Sequence, residues 1–168
     1  MKNLIPTLAL VLALSTGAAS AQSTFQTTLL GVNEVGPNAS PGTGFGQVVV
    51  NAAHTQITVD ENWSGLTAPA TASHIHGPAT PAQNAPVLFP FSGVPAATSG
   101  AIPTQTFAIT AAQFADLSAG LYYMNVHTST FPGGEIRGQL LLVPEPSTLA
   151  LVGLGLAAVA WNARRRRQ

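Results

Sequence analysis

The chain has 168 residues, no cysteine, and a formal charge of zero that conceals three unlike segments. Between Gln22 and Val143 one base, Arg137, stands against Glu34, Asp60, Glu61, Asp116 and Glu135, a net charge of −4. That balance offers no basic patch to nucleic acid, and with no disulfide the ~120-residue stretch must hold together by burial, which is enough for one core.

In chain order, Met1 to Ala21 carries Lys2, an apolar run from Leu8 to Leu14 and then Ala19-Ser20-Ala21. These are the parts of a secretory signal peptide in their proper order. From Phe25 onward short runs broken by turn residues predict strands near 24–30, 45–50, 55–63, 70–76, 87–91, 104–109, 121–127 and 135–142. In the third, Ile57, Val59 and Trp63 share the core face, with Thr58, Asp60 and Asn62 opposite. Asp60 and Glu61 are consecutive, point to opposite faces and cannot work as a paired acid and base. His54 falls in a turn, as a solvated tip. Residues 78–102 read mostly as loop. Thr110-Ala111-Ala112-Gln113 is a capping box that opens one short helix to about Ser118, ended by Gly120.

The stretch 120–142 reads as a β-hairpin. Its first arm alternates Tyr122, Met124 and Val126 with Tyr123, Asn125 and His127, and Pro132-Gly133-Gly134 supplies the turn. The second arm places Ile136, Leu140 and Leu142 on one face and Glu135, Arg137 and Gln139 on the other, so Glu135 and Arg137 are expected to form a polar pair.

His74 and His76 are spaced so that both imidazoles leave one face of a strand while Ile75 enters the core. If the strands are neighbours, His127 joins them, and three neutral imidazoles suit a transition metal. The other reading is a polar network of His74, His76, Asn125, Glu135 and Arg137 that fixes strand register. Both stand at this point, and no other cofactor is called for. The chain contains neither a nucleophile elbow nor a phosphate-binding glycine loop. A non-enzymatic binding or structural role follows. Trp63, Tyr122, Tyr123 and Phe131 add a third idea, a stacking platform for envelope polysaccharide with Tyr123 exposed.

Beyond Val143, the box Pro144-Glu145-Pro146, the apolar run 148–161 and the cluster Arg164, Arg165, Arg166 and Arg167 together resemble the PEP-CTERM sorting signal of exported bacterial proteins. That resemblance implies an exosortase as partner, transient anchoring through a C-terminal membrane helix, and a destination in the cell envelope or extracellular matrix. The run is shorter than the roughly 20 residues of a comfortable span, and the arginines would hold its end in the cytoplasm.

Three further motifs occur in order: Glu34-Val35-Gly36-Pro37, His74-Ile75-His76-Gly77-Pro78-Ala79, and Asn125-Val126-His127-Thr128 followed by Phe131-Pro132-Gly133-Gly134-Glu135-Ile136-Arg137-Gly138-Gln139-Leu140. Together they resemble the CHRD domain, which implies an extracellular β-sandwich. The expected class is all-β, an Ig-like or superoxide-dismutase-like antiparallel sandwich with one short helix. The chain divides into 1–21 signal peptide, 22–143 domain and 144–168 sorting tail. The histidine spacing also resembles Cu/Zn superoxide dismutase, with Arg137 in the place of its late arginine. This chain has no cysteine pair and no His- and Asp-bearing loop after His76, which argues against dismutase activity.

Overall fold

Residues 22–144 and 146–165 are described by a computed structural model. The expected signal peptide, Glu145, Arg166 and Arg167 lie outside them. The strands are β1 (Ser23–Leu30), β2 (Thr43–Val50), β3 (Gln56–Ser64), β4 (Ala70–His76), β5 (Val87–Pro90), β6 (Gly100–Ala101), β7 (Gln105–Ala108), β8 (Tyr123–Thr128), β9 (Ile136–Gln139) and β10 (Leu141–Leu142). Helix α1 (Ala111–Ser118) precedes β8, and α2 (Pro146–Arg165) closes the chain.

Among the described residues these strands form one antiparallel sheet in the order β5-β4-β8-β9-β1-β2-β3-β6, with β7 also on β3 and β10 on β1. β1, β2 and β3 are a meander paired over most of their length, from Ser23 opposite Val50 to Thr43 opposite Ser64. The sheet curls where β9 pairs with β1 only at Leu30 and Arg137, after which β10 takes over at Phe25 and Gln26. The inner faces of the meander and of β4, β8 and β9 thereby close on one core: Phe25, Leu29, Val48, Val59, Ile75, Met124, Val126 and Ile136 are all fully buried. The all-β expectation holds.

Side-chain size sets how closely the walls approach. Gly44 and Gly46 of β2 have no Cβ where Ile136 and Met124 press in, so two large residues of the far wall fill the space. Gly138 is tighter still, because a Cβ there would strike Thr27 Oγ1 and the backbone of Thr28. Backbone cannot step aside as a flexible side chain can. Gly138→Ala is therefore expected to cost about 1–3 kcal/mol of stability, read as a lowered urea midpoint at unchanged slope.

The capping box forms as expected, with the Thr110 hydroxyl accepting from the Gln113 N–H and the Gln113 side chain accepting from the Thr110 N–H. His54 is not a free tip. It sits at φ 54° with its ring 3.9 Å from that of Phe114, fastening the β2–β3 turn to α1. The predicted strand 135–142 is two strands, since Leu140 turns its N–H to the Tyr122 carbonyl and the ladder restarts on β1. The alternation breaks there, so Leu140 is buried and Leu142 is exposed. The tail is helical over Pro146–Arg165, with Pro146 at its first position, where the missing N–H is not needed. Among the described residues no helix is long and apolar enough to cross a membrane.

Candidate metal centre

Strand β4 lies between β5 and β8, and its outer face carries His74 and His76. Opposite them on β8, His74 pairs with Asn125, His76 with Tyr123, and His127 with Ala72. Adjacent strands thus bring all three imidazoles together, with ligand nitrogens within 4.8 Å of one another.

Two of the rings are fixed by backbone carbonyls. His76 Nδ1 lies 2.9 Å from the Ala85 carbonyl oxygen, and His127 Nδ1 lies 2.9 Å from that of Pro132. A carbonyl can only accept, so in each ring Nδ1 carries the proton and Nε2 keeps its lone pair. His76 Nε2 is buried and has no hydrogen-bond partner. His127 Nε2 accepts from His74 Nδ1 at 3.2 Å. Burial, and then the neighbouring rings His127 and His76, push His74 down to about 4. Burial also lowers His76 and His127, against the Ala85 and Pro132 carbonyls that favour their protonated forms. All three are neutral at pH 7. Neutral and convergent, with His76 and His127 held so that Nε2 keeps its lone pair, they offer what a divalent transition metal asks of imidazole ligands once His74 gives up its contact with His127.

The outer face beneath them is covered rather than wet. Tyr123 is 2% exposed, which removes it as an exposed platform for sugar. Its ring stacks on His76 at 4.9 Å, and the Arg137 guanidinium lies 3.4 Å from its centroid. Because β4 and β9 flank β8, the two approach from opposite sides. The β4–β5 loop closes over this stack. Arg137 donates to Asn84 Oδ1 at 3.1 Å and to the Thr80 and Gln83 carbonyls, and the Tyr123 hydroxyl accepts from the Ala85 N–H. The same loop therefore seats Arg137 and sets the tautomer of His76.

Glu135 and Arg137 do not pair. β9 begins only at Ile136, so Glu135 belongs to the turn and points elsewhere. Its carboxylate accepts from Ser40 and Thr128 hydroxyls at 2.6 Å each, and from the Thr67 N–H and hydroxyl. Burial works to raise its pKa, and these bonds together outweigh it and hold the group below the ordinary carboxylate range. The acid whose charge Arg137 feels is Glu34. Glu34 is buried against Gly134, whose φ of 135° and missing Cβ make its room, and burial lifts it to about 7 against the pull of Arg137 and Asn125.

Sequence reasoning passed over one buried acid. Glu61 shares the core face of β3 with Ile57, Val59 and Trp63, and is 2% exposed. It crosses the core to the Ser73 hydroxyl, which also bonds the Asn125 carbonyl at 2.9 Å. The hydroxyl has one proton for these two acceptors; because burial keeps the Glu61 carboxyl protonated, the carboxyl can donate to Ser73 while the hydroxyl donates to the Asn125 carbonyl. Burial, only partly offset by Ser73, lifts it to about 8. The period-2 pattern contained this signal, since Glu61 falls in step with three core residues.

Against families of known proteins, the model of the CHRD domain matches residues 25–140, and that of the PEP-CTERM protein-sorting motif matches residues 142–167. No curated protein and no solved structure matches the chain.

Proposed function

The chain belongs to the CHRD domain family, and on that premise we propose that its β-domain is a non-catalytic metal-binding module carried on the bacterial cell surface. The PEP-CTERM motif marks the protein for export and for handling by an exosortase. In this reading the mature protein resides in the envelope or extracellular matrix, and its sheet is a member of the Ig-like or superoxide-dismutase-like sandwiches. The ligand is one copper or zinc ion held by His74, His76 and His127.

The observation that carries the reading is the fixed orientation of two imidazoles. A network that served only strand register would use both nitrogens of each ring. Here His76 Nε2 is left buried and unpartnered, facing its two fellow imidazoles. A buried lone pair without a partner costs stability, and a cation removes that cost. His74 must carry its proton on Nε2 instead of Nδ1, or turn its ring, to join them.

The test is elemental mass spectrometry on the exported protein, purified without chelator and equilibrated with copper and zinc. About one ion per chain is expected in the parent and none in His74→Ala/His76→Ala, with release on acidification as the imidazoles take up protons. A folded parent that stays empty after equilibration would return the histidines to a register-fixing role.

A further inference from the structure

Asn125 stands in the middle of the imidazole cluster. On the outer face of β8 it lies between Tyr123 and His127, directly opposite His74 and diagonal to His76, so the register makes all three imidazoles its neighbours. It is 2% exposed. The two ends of its amide meet different groups. Nδ2 and Glu34 Oε1 come together over Gly134, where a Cβ would strike both, and turning the amide over would set oxygen against oxygen. Oδ1 is the end left for His76. The Asn125 side chain acts on that ring as an acceptor does, favouring its protonated form, and on Glu34 as a donor does. Yet both Asn125 Oδ1 and His76 Nε2 are buried without a hydrogen-bond partner. Two neighbouring lone pairs on one patch of sheet have nothing positive between them.

We propose that Asn125 is the fourth ligand of the metal centre, its Oδ1 completing the set begun by His74, His76 and His127. The inference rests on the metal-binding reading above and extends it. A buried amide oxygen without a donor costs stability, as does the buried Nε2, and one ion lying against both relieves the two costs together. Their lack of exposed surface is no obstacle to such an ion. A divalent zinc sits about 2.0–2.2 Å from its nitrogen and oxygen donors, closer than a hydrogen-bonded water can come. The donor set is then three imidazole nitrogens and one amide oxygen, with no sulfur, which suits zinc or copper(II). Four protein ligands also leave no open position for substrate. That is the arrangement of an ion that holds structure together, in keeping with a non-catalytic module.

The full exported protein, Asn125→Leu and Asn125→Asp are each titrated with zinc, and separately with cobalt(II) for its visible spectrum. Zinc is expected to bind Asn125→Leu at least about tenfold more weakly than the parent, while Asn125→Asp, which keeps an oxygen in place, retains it. The cobalt bands should differ among the three proteins, because an amide oxygen, a carboxylate and a missing ligand impose different fields on the ion. A residue that only supported the fold would leave those bands where they are. Should Asn125→Leu fail to fold, the cobalt spectrum of Asn125→Asp decides by itself. Parent-like zinc affinity in Asn125→Leu, loss of zinc by Asn125→Asp, or cobalt bands in Asn125→Asp that match the parent's would each overturn the proposal and leave the three-imidazole centre standing. A parent that takes up no metal would overturn both.

Discussion

Glu135→Ala is expected to lower the stability of the domain by about 3 kcal/mol, the largest loss from removing any single polar side chain described above. Glu135 is fully buried, yet it touches three separate parts of the chain: Ser40 between β1 and β2, Thr67 between β3 and β4, and Thr128 at the end of β8. Truncation leaves the buried Thr128 hydroxyl without an acceptor and frees two loops from a shared anchor. Ser40 and Thr67 are nearer the surface and can turn to water, which keeps the loss below the sum of four bonds. The pH dependence has a defined sign. A carboxyl held below its unfolded value contributes stability above that value and loses it as pH falls through the folded one. Chemical denaturation of parent and variant at pH 7 and pH 3 measures both. The gap should be wide at pH 7 and narrow at pH 3; an equal gap at both would mean that packing, not charge, explains the loss.

Glu61 predicts the opposite trend. Its carboxyl is neutral in the fold up to about 8, whereas in the unfolded chain it ionises near 4.5. Between those values the unfolded state has lost a proton that the folded state keeps, so stability falls as pH rises. The contribution is complete below 4.5 and gone above about 8. Glu61→Gln keeps the shape, keeps a donor for Ser73 and cannot ionise. Relative to this variant, the parent should lose a few kcal/mol between pH 5 and pH 9, since each pH unit across that window is worth about 1.4 kcal/mol for one proton. Urea midpoints across that range provide the comparison. Parallel curves for parent and variant would show that Glu61 is already ionised in the native state, which would also undo the hydrogen-bond assignment at Ser73.

Because the comparison is with an uncharged isostere, the other raised acid, Glu34, cancels from it. The imidazoles act in the reverse sense. Their lowered values mean that acid, not base, disfavours the fold at that face, and metal loading should follow the same direction.

Much of the sheet was legible from local pattern, because a strand with one face on a core must alternate. β3 and β4 appear within a residue of their expected bounds, and the capping box placed α1 at its N-terminus. The His-x-His spacing put two imidazoles on one face for the same reason, and the strand order then brought His127 beside them. The chain's family and its sorting motif could also be read directly, as ordered runs of residues that survive without coordinates. What the sequence by itself determined is this local content: which residues alternate, where the helix starts, and which motifs label the domain and its tail.

Only the tertiary structure decided partners. Glu135 and Arg137 are two residues apart and were paired on that ground, but whether β9 is already a strand at Glu135 depends on the turn before it and on Ser40, Thr67 and Thr128 from distant segments. Tyr123 looks exposed on a hairpin until a loop some forty residues earlier folds over it. Glu61 lies in a core register that local pattern reveals, yet only the facing wall supplies Ser73. Alternation tells a side chain which face it leaves. It cannot say what the rest of the chain lays across that face, because that is fixed by contacts between residues far apart in sequence.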